Sequence, residues 1–130
     1  MHVREYAYIG DAVWELFVRE IVLTQTAKPR AYHEITTSKV NAKFQHAMLE
    51  EIYDKLTEEE QDVVRRGRNL SIPVARRSIQ SDYRQATAFE AIIGYWYMND
   101  RERLKEFEEI LKILFRGFTI IFFVINSKTK

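Results

Sequence analysis

The sequence predicts an all-α single domain, and three observations carry that reading. Apolar residues recur every three or four positions along most of the chain, the spacing of one helix face. The 130 residues include only 4 Gly and 2 Pro, too few for the many tight turns of a β-sandwich. The length is that of one domain, and 46% apolar with 30% charged residues is the balance of a chain that folds around its own core, which excludes disorder.

Tyr6 to Gln25 reads as the first helix. Ile9, Val13, Leu16, Phe17 and Ile21 line one face. Tyr8, Ala12, Trp14, Val18 and Val22 widen the apolar arc to most sides, as expected of a central helix. Lys28-Pro29 ends it. Tyr32 to Thr37 reads as a short helix, and Val40 to Lys55 as a longer one with Val40, Phe44, Ala47, Met48, Ile52 and Tyr53 on one side. Thr57 followed by Glu60 is a capping box, so a helix starts there. It is expected to run to about Arg66 and to stop at Gly67 in a left-handed cap. Residues 67–80, with Pro73, read as a loop. Ser81 can cap a helix from Asp82 to Met98, carrying Ala86, Phe89, Ile92, Ile93 and Trp96 inward. Asn99-Asp100 turns the chain, and Asp100 caps a helix from Arg101 to Phe115 with Leu104, Phe107, Ile110, Leu111 and Leu114 on its inner face. The total is five to seven helices in residues 1–116. Residues 117–130 stand apart as a β-branched, aromatic tail, strand-like or helical.

Composition removes several function classes. The chain has no Cys, hence no disulfide framework, thiolate zinc site or Cys nucleophile. A net charge of +1 means that any basic surface must come from local clustering. Phe118 to Ile125 is apolar but far short of the roughly 20 residues of a membrane span. With no secretory signal pattern at the N-terminus, the expected location is the cytoplasm, away from membranes. There is no nucleotide-binding glycine loop, G-x-S-x-G or H-E-x-x-H motif.

Two acids stand out. Asp11 sits in Tyr8-Ile9-Gly10-Asp11-Ala12-Val13, and Glu90 in Ala88-Phe89-Glu90-Ala91-Ile92-Ile93-Gly94. Each is embedded in an apolar helical segment beside a mid-helix glycine, which costs about 1 kcal/mol against Ala. Close helix–helix approach is the usual reason for such a glycine. Two close helices, each with a carboxylate, could hold a divalent cation. Equally, each acid could pair with a buried Arg, Tyr or backbone group. The second feature is a cluster of arginines, Arg65, Arg66, Arg68, Arg76, Arg77 and Arg84, with Asn69 and Ser71 as neutral donors. It outlines a phosphate-contacting surface, or a solvated loop paired with the acids of 58–62 and 100–109. His33 and His46 lack metal-ligand spacing, His2 is terminal, and Glu15 and Arg19 extend an i,i+4 ladder from Asp11.

Those two acidic motifs resemble the signature of the ribonuclease III family, and most of all its Mini-ribonuclease III branch, which lacks the double-stranded-RNA-binding domain. Ser38 to Gln45, Leu56 to Glu60, Arg66-Gly67-Arg68-Asn69 and Tyr83 to Ala91 extend the similarity over residues 6–114. The family's acid four residues before the signature Asp is Ala7 here, and its acid three before the second Glu is Thr87. The Mini branch shares both replacements. The resemblance implies an endoribonuclease that cuts double-stranded RNA, leaves 5′-phosphate products and matures the 23S ribosomal RNA precursor. It implies Asp11 and Glu90 as catalytic metal ligands for Mg²⁺, with Mn²⁺ as a substitute, and Glu34 as a loosely aligned further acid. Arg65, Arg66, Arg68, Asn69, Arg76, Arg77 and Arg84 would bind the RNA. It also implies a homodimer, using apolar surface around Tyr8, Trp14 and Phe17, with a ribosomal protein as a further partner. The alternatives are a catalytically inactive RNA- or ribosome-binding relative and a helical protein-interaction domain.

Overall fold

A computed structural model describes the backbone of residues 1–70 and 80–128, and the side chains of 1–70 and 81–117. Among the described residues six α-helices follow one another: α1 (Val3–Gln25), α2 (Pro29–Val40), α3 (Ala42–Ile52), α4 (Glu58–Arg68), α5 (Gln80–Asn99) and α6 (Arg101–Lys128), with one 3-10 turn at Tyr53–Lys55. No strand occurs among the described residues.

The capping chemistry places most boundaries. The Thr57 hydroxyl accepts from the Glu60 N–H at 3.2 Å, and the Glu60 carboxylate accepts from the Thr57 N–H at 2.8 Å, so the expected capping box opens α4. Asp100 accepts from the Arg103 N–H at 3.0 Å and opens α6, also as expected. Asn41 was not expected to matter. Its extended backbone and its side chain, which accepts from the Phe44 N–H at 2.9 Å, split the expected 40–55 helix into the end of α2 and the whole of α3. Pro29 starts α2 rather than only ending α1, because its fixed φ suits a first helical position. Helix α6 continues past the expected Phe115 to Lys128; Gly117, which meets nothing within 4 Å, imposes no break. Arg76 and Arg77, in the expected 67–80 loop, lie outside the described residues.

Gly67 corrects an expectation. It is helical, no residue has a positive φ among those described, and α4 runs through it to Arg68. A Cβ there would lie 3.0 Å from both the Ala88 Cα and the Ala91 Cβ, so the glycine serves close packing of α4 on α5 and not a left-handed cap.

Helix α5 is the centre of the fold. It packs against α1, α3, α4 and α6, and Ala86, Ala88, Phe89, Ala91, Ile92, Ile93 and Trp96 are all buried. The wide apolar arc of α1 pointed to that helix instead, but α1 lies on the outside: Tyr8 is 84% exposed, and Leu16 and Leu23 are exposed as well. Its inner face supplies Trp14, whose ring meets Phe89 edge-on at 5.0 Å and whose indole N–H donates to the Lys39 carbonyl at 2.9 Å. Helices α1 and α5 cross at Gly10 and Gly94. A Cβ on Gly10 would collide with the Glu90 carbonyl, and one on Gly94 with the Tyr6 carbonyl. Backbone touches backbone there, which explains both mid-helix glycines.

Candidate active site

The glycine crossing sets the position of the two acids. Asp11 follows Gly10 on α1, and Glu90 stands on α5 at the point where its carbonyl faces Gly10. The two carboxyl groups interact directly. Burial, a side-chain hydrogen bond to Asp11 and the charge of Asp11 push the Glu90 carboxyl up to about 9. Asp11 is exposed and Glu90 half-buried, so the pair has an open side and a more closed side. No Lys or Arg forms an ion pair with either acid among the described residues. Pairing of either acid with a buried Arg therefore finds no support there: the acids face each other.

Gln45 closes the inner side. It is 2% exposed, lies on α3, and favours the charged form of Glu90. Its Nε2 has no hydrogen-bond partner among the described residues. Sequence reasoning missed this residue. The available signal was a lone amide in the buried stripe Gln45, Met48, Leu49 and Ile52, at helical spacing.

Two carboxyl groups so placed form a hard, all-oxygen donor pair with no base paired to it among the described residues. They fit a divalent cation such as Mg²⁺, which takes one or two carboxylates and fills its octahedron with waters and phosphate oxygens. Among the described residues no group of three or more His, Cys, Asp or Glu side chains converges, so the donor set is the pair alone. Glu34 is exposed on α2 and forms no ion pair among the described residues. Of the two family acids replaced in this chain, Ala7 is buried and the Thr87 hydroxyl donates to the Tyr83 carbonyl at 2.9 Å.

The arginine segment gathers at the junction of α4 and α5. Arg65 and Arg66 are exposed and both pair with Asp62 one turn back, Arg66 at 3.0 Å. Arg84 Nη1 donates to the Arg68 carbonyl at 3.2 Å, tying the start of α5 to the end of α4. Arg68 Nε is buried without a partner among the described residues, and Asn69 is the C-cap of α4. His46 sits between Asp82 at 2.8 Å and Glu50 at 3.0 Å.

The profile of the Ribonuclease III domain matches residues 4–101. A Mini-ribonuclease 3 of Gloeobacter violaceus is 46% identical over 98 residues, 75% of this chain and 73% of that protein. A Mini-ribonuclease 3 of Thermosynechococcus vestitus is 39% identical over 105 residues, 81% of this chain and 70% of that protein. A crystal structure of a Fusobacterium nucleatum protein superposes with a TM-score of 0.75 at 33% identity, covering 85% of this chain and 91% of that one.

Proposed function

The chain belongs to the ribonuclease III family, in its Mini-ribonuclease III branch, and is an endoribonuclease; from that premise we propose that it cuts double-stranded RNA with Mg²⁺ held by Asp11 and Glu90, in maturation of the 23S ribosomal RNA precursor. The observation that carries the site is the meeting of two unpaired carboxylates at the α1–α5 crossing. A divalent cation bound there supplies Lewis-acid polarisation of the phosphodiester and an acidified water. Asp11, on the open side, meets the incoming backbone; Glu90, on the closed side, holds its position through the rigid glycine contact. In-line attack, with a water oxygen bonding to phosphorus as the P–O3′ bond breaks and the leaving oxygen takes up a proton, would leave a 5′-phosphate and a 3′-hydroxyl. A-form RNA is read through its backbone and 2′-hydroxyls, so the site needs no base-reading side chains.

The RNA carries negative charge toward two acids, and compensation comes from Arg65, Arg66, Arg68, Asn69 and Arg84, with Arg76 and Arg77 of the adjoining segment. Exposed i,i+3 and i,i+4 pairs such as those of Asp62 are weak, so phosphate can take Arg65 and Arg66 from it. The active unit is residues 1–116 acting as a homodimer. Tyr8, Met1 and Met98 expose apolar surface around an open hollow of about 460 Å³ lined also by Arg4, Glu5 and Ile9. Tyr8 lies one turn from Asp11, so a second copy seated there places two active sites close together. Trp14 and Phe17, which the sequence also offered for that surface, are buried in the protomer at 1% and 7% exposure and take no part.

The test is a nicking assay on a long RNA duplex with and without Mg²⁺, using wild type and Asp11→Asn. Wild type should cut only with the cation. Asp11→Asn should lose at least about 100-fold in rate, above what loss of a supporting residue costs, while keeping its fold and assembly. Cleavage by Asp11→Asn at the wild-type rate would overturn the assignment. Tight duplex binding without cleavage by wild type would favour the inactive RNA-binding alternative.

A further inference from the structure

Helix α3 begins at the Asn41 cap and buries the stripe Gln45, Met48, Leu49 and Ile52 against α5. Three of these four are apolar. Leu or Met would fill the first position equally well by volume, and would leave no polar atom to satisfy. The chain instead places an amide there, 2% exposed, at the level of Glu90. Its Nε2 has no partner among the described residues, although buried side-chain donors are nearly always paired. Across the packed α3–α5 contact the amide lies beside the Glu90 carboxyl, with its donor nitrogen still without a partner among the described residues. An orphan donor there suits an acceptor oxygen held turned toward it. A cation held by Asp11 and Glu90 would fix the Glu90 carboxyl in place and give the amide a settled acceptor.

We propose that Gln45 is the positioning residue of the cation site, donating its side-chain N–H to the Glu90 oxygen opposite the one that meets the cation. This rests on the reading of Asp11 and Glu90 as the metal pair. Gln45 touches neither the metal nor the RNA; it fixes the rotation of one ligand, and supporting residues of this kind commonly change metal affinity 10- to 100-fold.

The experiment titrates Mn²⁺ into RNA-free protein, followed by electron paramagnetic resonance, for wild type, Asp11→Asn and Gln45→Met. Gln45→Met keeps the volume and removes the donor, so its melting temperature should stay at or above that of wild type. Its Mn²⁺ affinity should fall about tenfold or more, and high Mn²⁺ should restore RNA cleavage, which it cannot do for Asp11→Asn. If Asp11→Asn binds Mn²⁺ as tightly as wild type, the cation site itself is wrong and the role of Gln45 falls with it. If Asp11→Asn loses Mn²⁺ while Gln45→Met keeps the wild-type affinity, only the role of Gln45 is overturned. Should Gln45→Met fold poorly, wild type supplies the answer by ¹H–¹⁵N spectroscopy. The Gln45 side-chain amide resonances should shift and exchange more slowly with solvent on addition of Mg²⁺; unchanged resonances overturn the inference.

Discussion

Two glutamates packed on the central helix have opposite surroundings. Glu60, on α4, is 6% exposed. Burial pushes its carboxyl up, but hydrogen bonds from Arg103, the Thr57 backbone and Trp96, with the charge of Arg103, outweigh burial and bring it down to about 2. The bonds are short: Trp96 Nε1 at 2.6 Å, Arg103 Nε and Nη2 both at 2.9 Å, and the Thr57 N–H at 2.8 Å. Arg103 is held in turn by the Lys55 carbonyl at 3.0 Å and Glu106 at 2.9 Å, above the Phe107 ring that stacks on Trp96. Glu90, on α5, faces another carboxylate and a single amide that does not reach it, and rises to about 9. The first acid is satisfied by the protein and joins α4, α5 and α6. The second has no base beside it among the described residues. Acids of the same type thus differ by what faces them.

The largest effect should come from making Glu60 resemble Glu90. Arg103→Met removes the partner and leaves a buried, uncompensated carboxylate, a change that costs about 3–5 kcal/mol. Thermal unfolding should show a melting temperature lower by roughly 10 °C. Cleavage per folded molecule, measured below that temperature, should stay at the wild-type level. An unchanged melting temperature would mean that the network is ornamental and would erase the contrast.

Acid should remove the same contribution from wild type. The folded carboxyl of Glu60 lies near 2 and its ordinary value is 4.5. A lowered carboxyl stabilises the fold fully above the ordinary value and progressively less as pH falls through the folded one. Denaturant titrations should therefore show a loss of about 3 kcal/mol between pH 4.5 and 2, from the separation of the two values. In Glu60→Gln that part of the acid dependence should be missing.

The smallest effect on stability sharpens the contrast from the other side. Glu90→Gln replaces a carboxyl that burial and Asp11 already push up to about 9 by a neutral amide, so urea unfolding near neutral pH should give a stability within about 1 kcal/mol of wild type. The same protein should not cut RNA. Destabilisation by more than that would place Glu90 with Glu60 among the structural acids.

The sequence by itself determined the helical class, the capping residues Thr57 and Asp100, and the close crossing implied by Gly10 and Gly94, and it singled out Asp11 and Glu90 as the acids to test. These follow from local spacing and from the rule that glycine or an acid in an apolar helix needs a reason. Tertiary structure alone decided which helix is central. An apolar arc records only that surface is covered, and in α1 Tyr8, Leu16 and Leu23 remain exposed on the protomer. It also decided that Gly67 serves packing, since a helix-end glycine looks the same whether it turns the chain or admits Ala88 and Ala91. The Trp96 and Arg103 contacts of Glu60 and the burial of Gln45 beside Glu90 were equally hidden. They bring together residues 36 to 45 positions apart in the chain. Whether a buried polar group is satisfied depends on what those distant elements bring to it, and no local pattern carries that information.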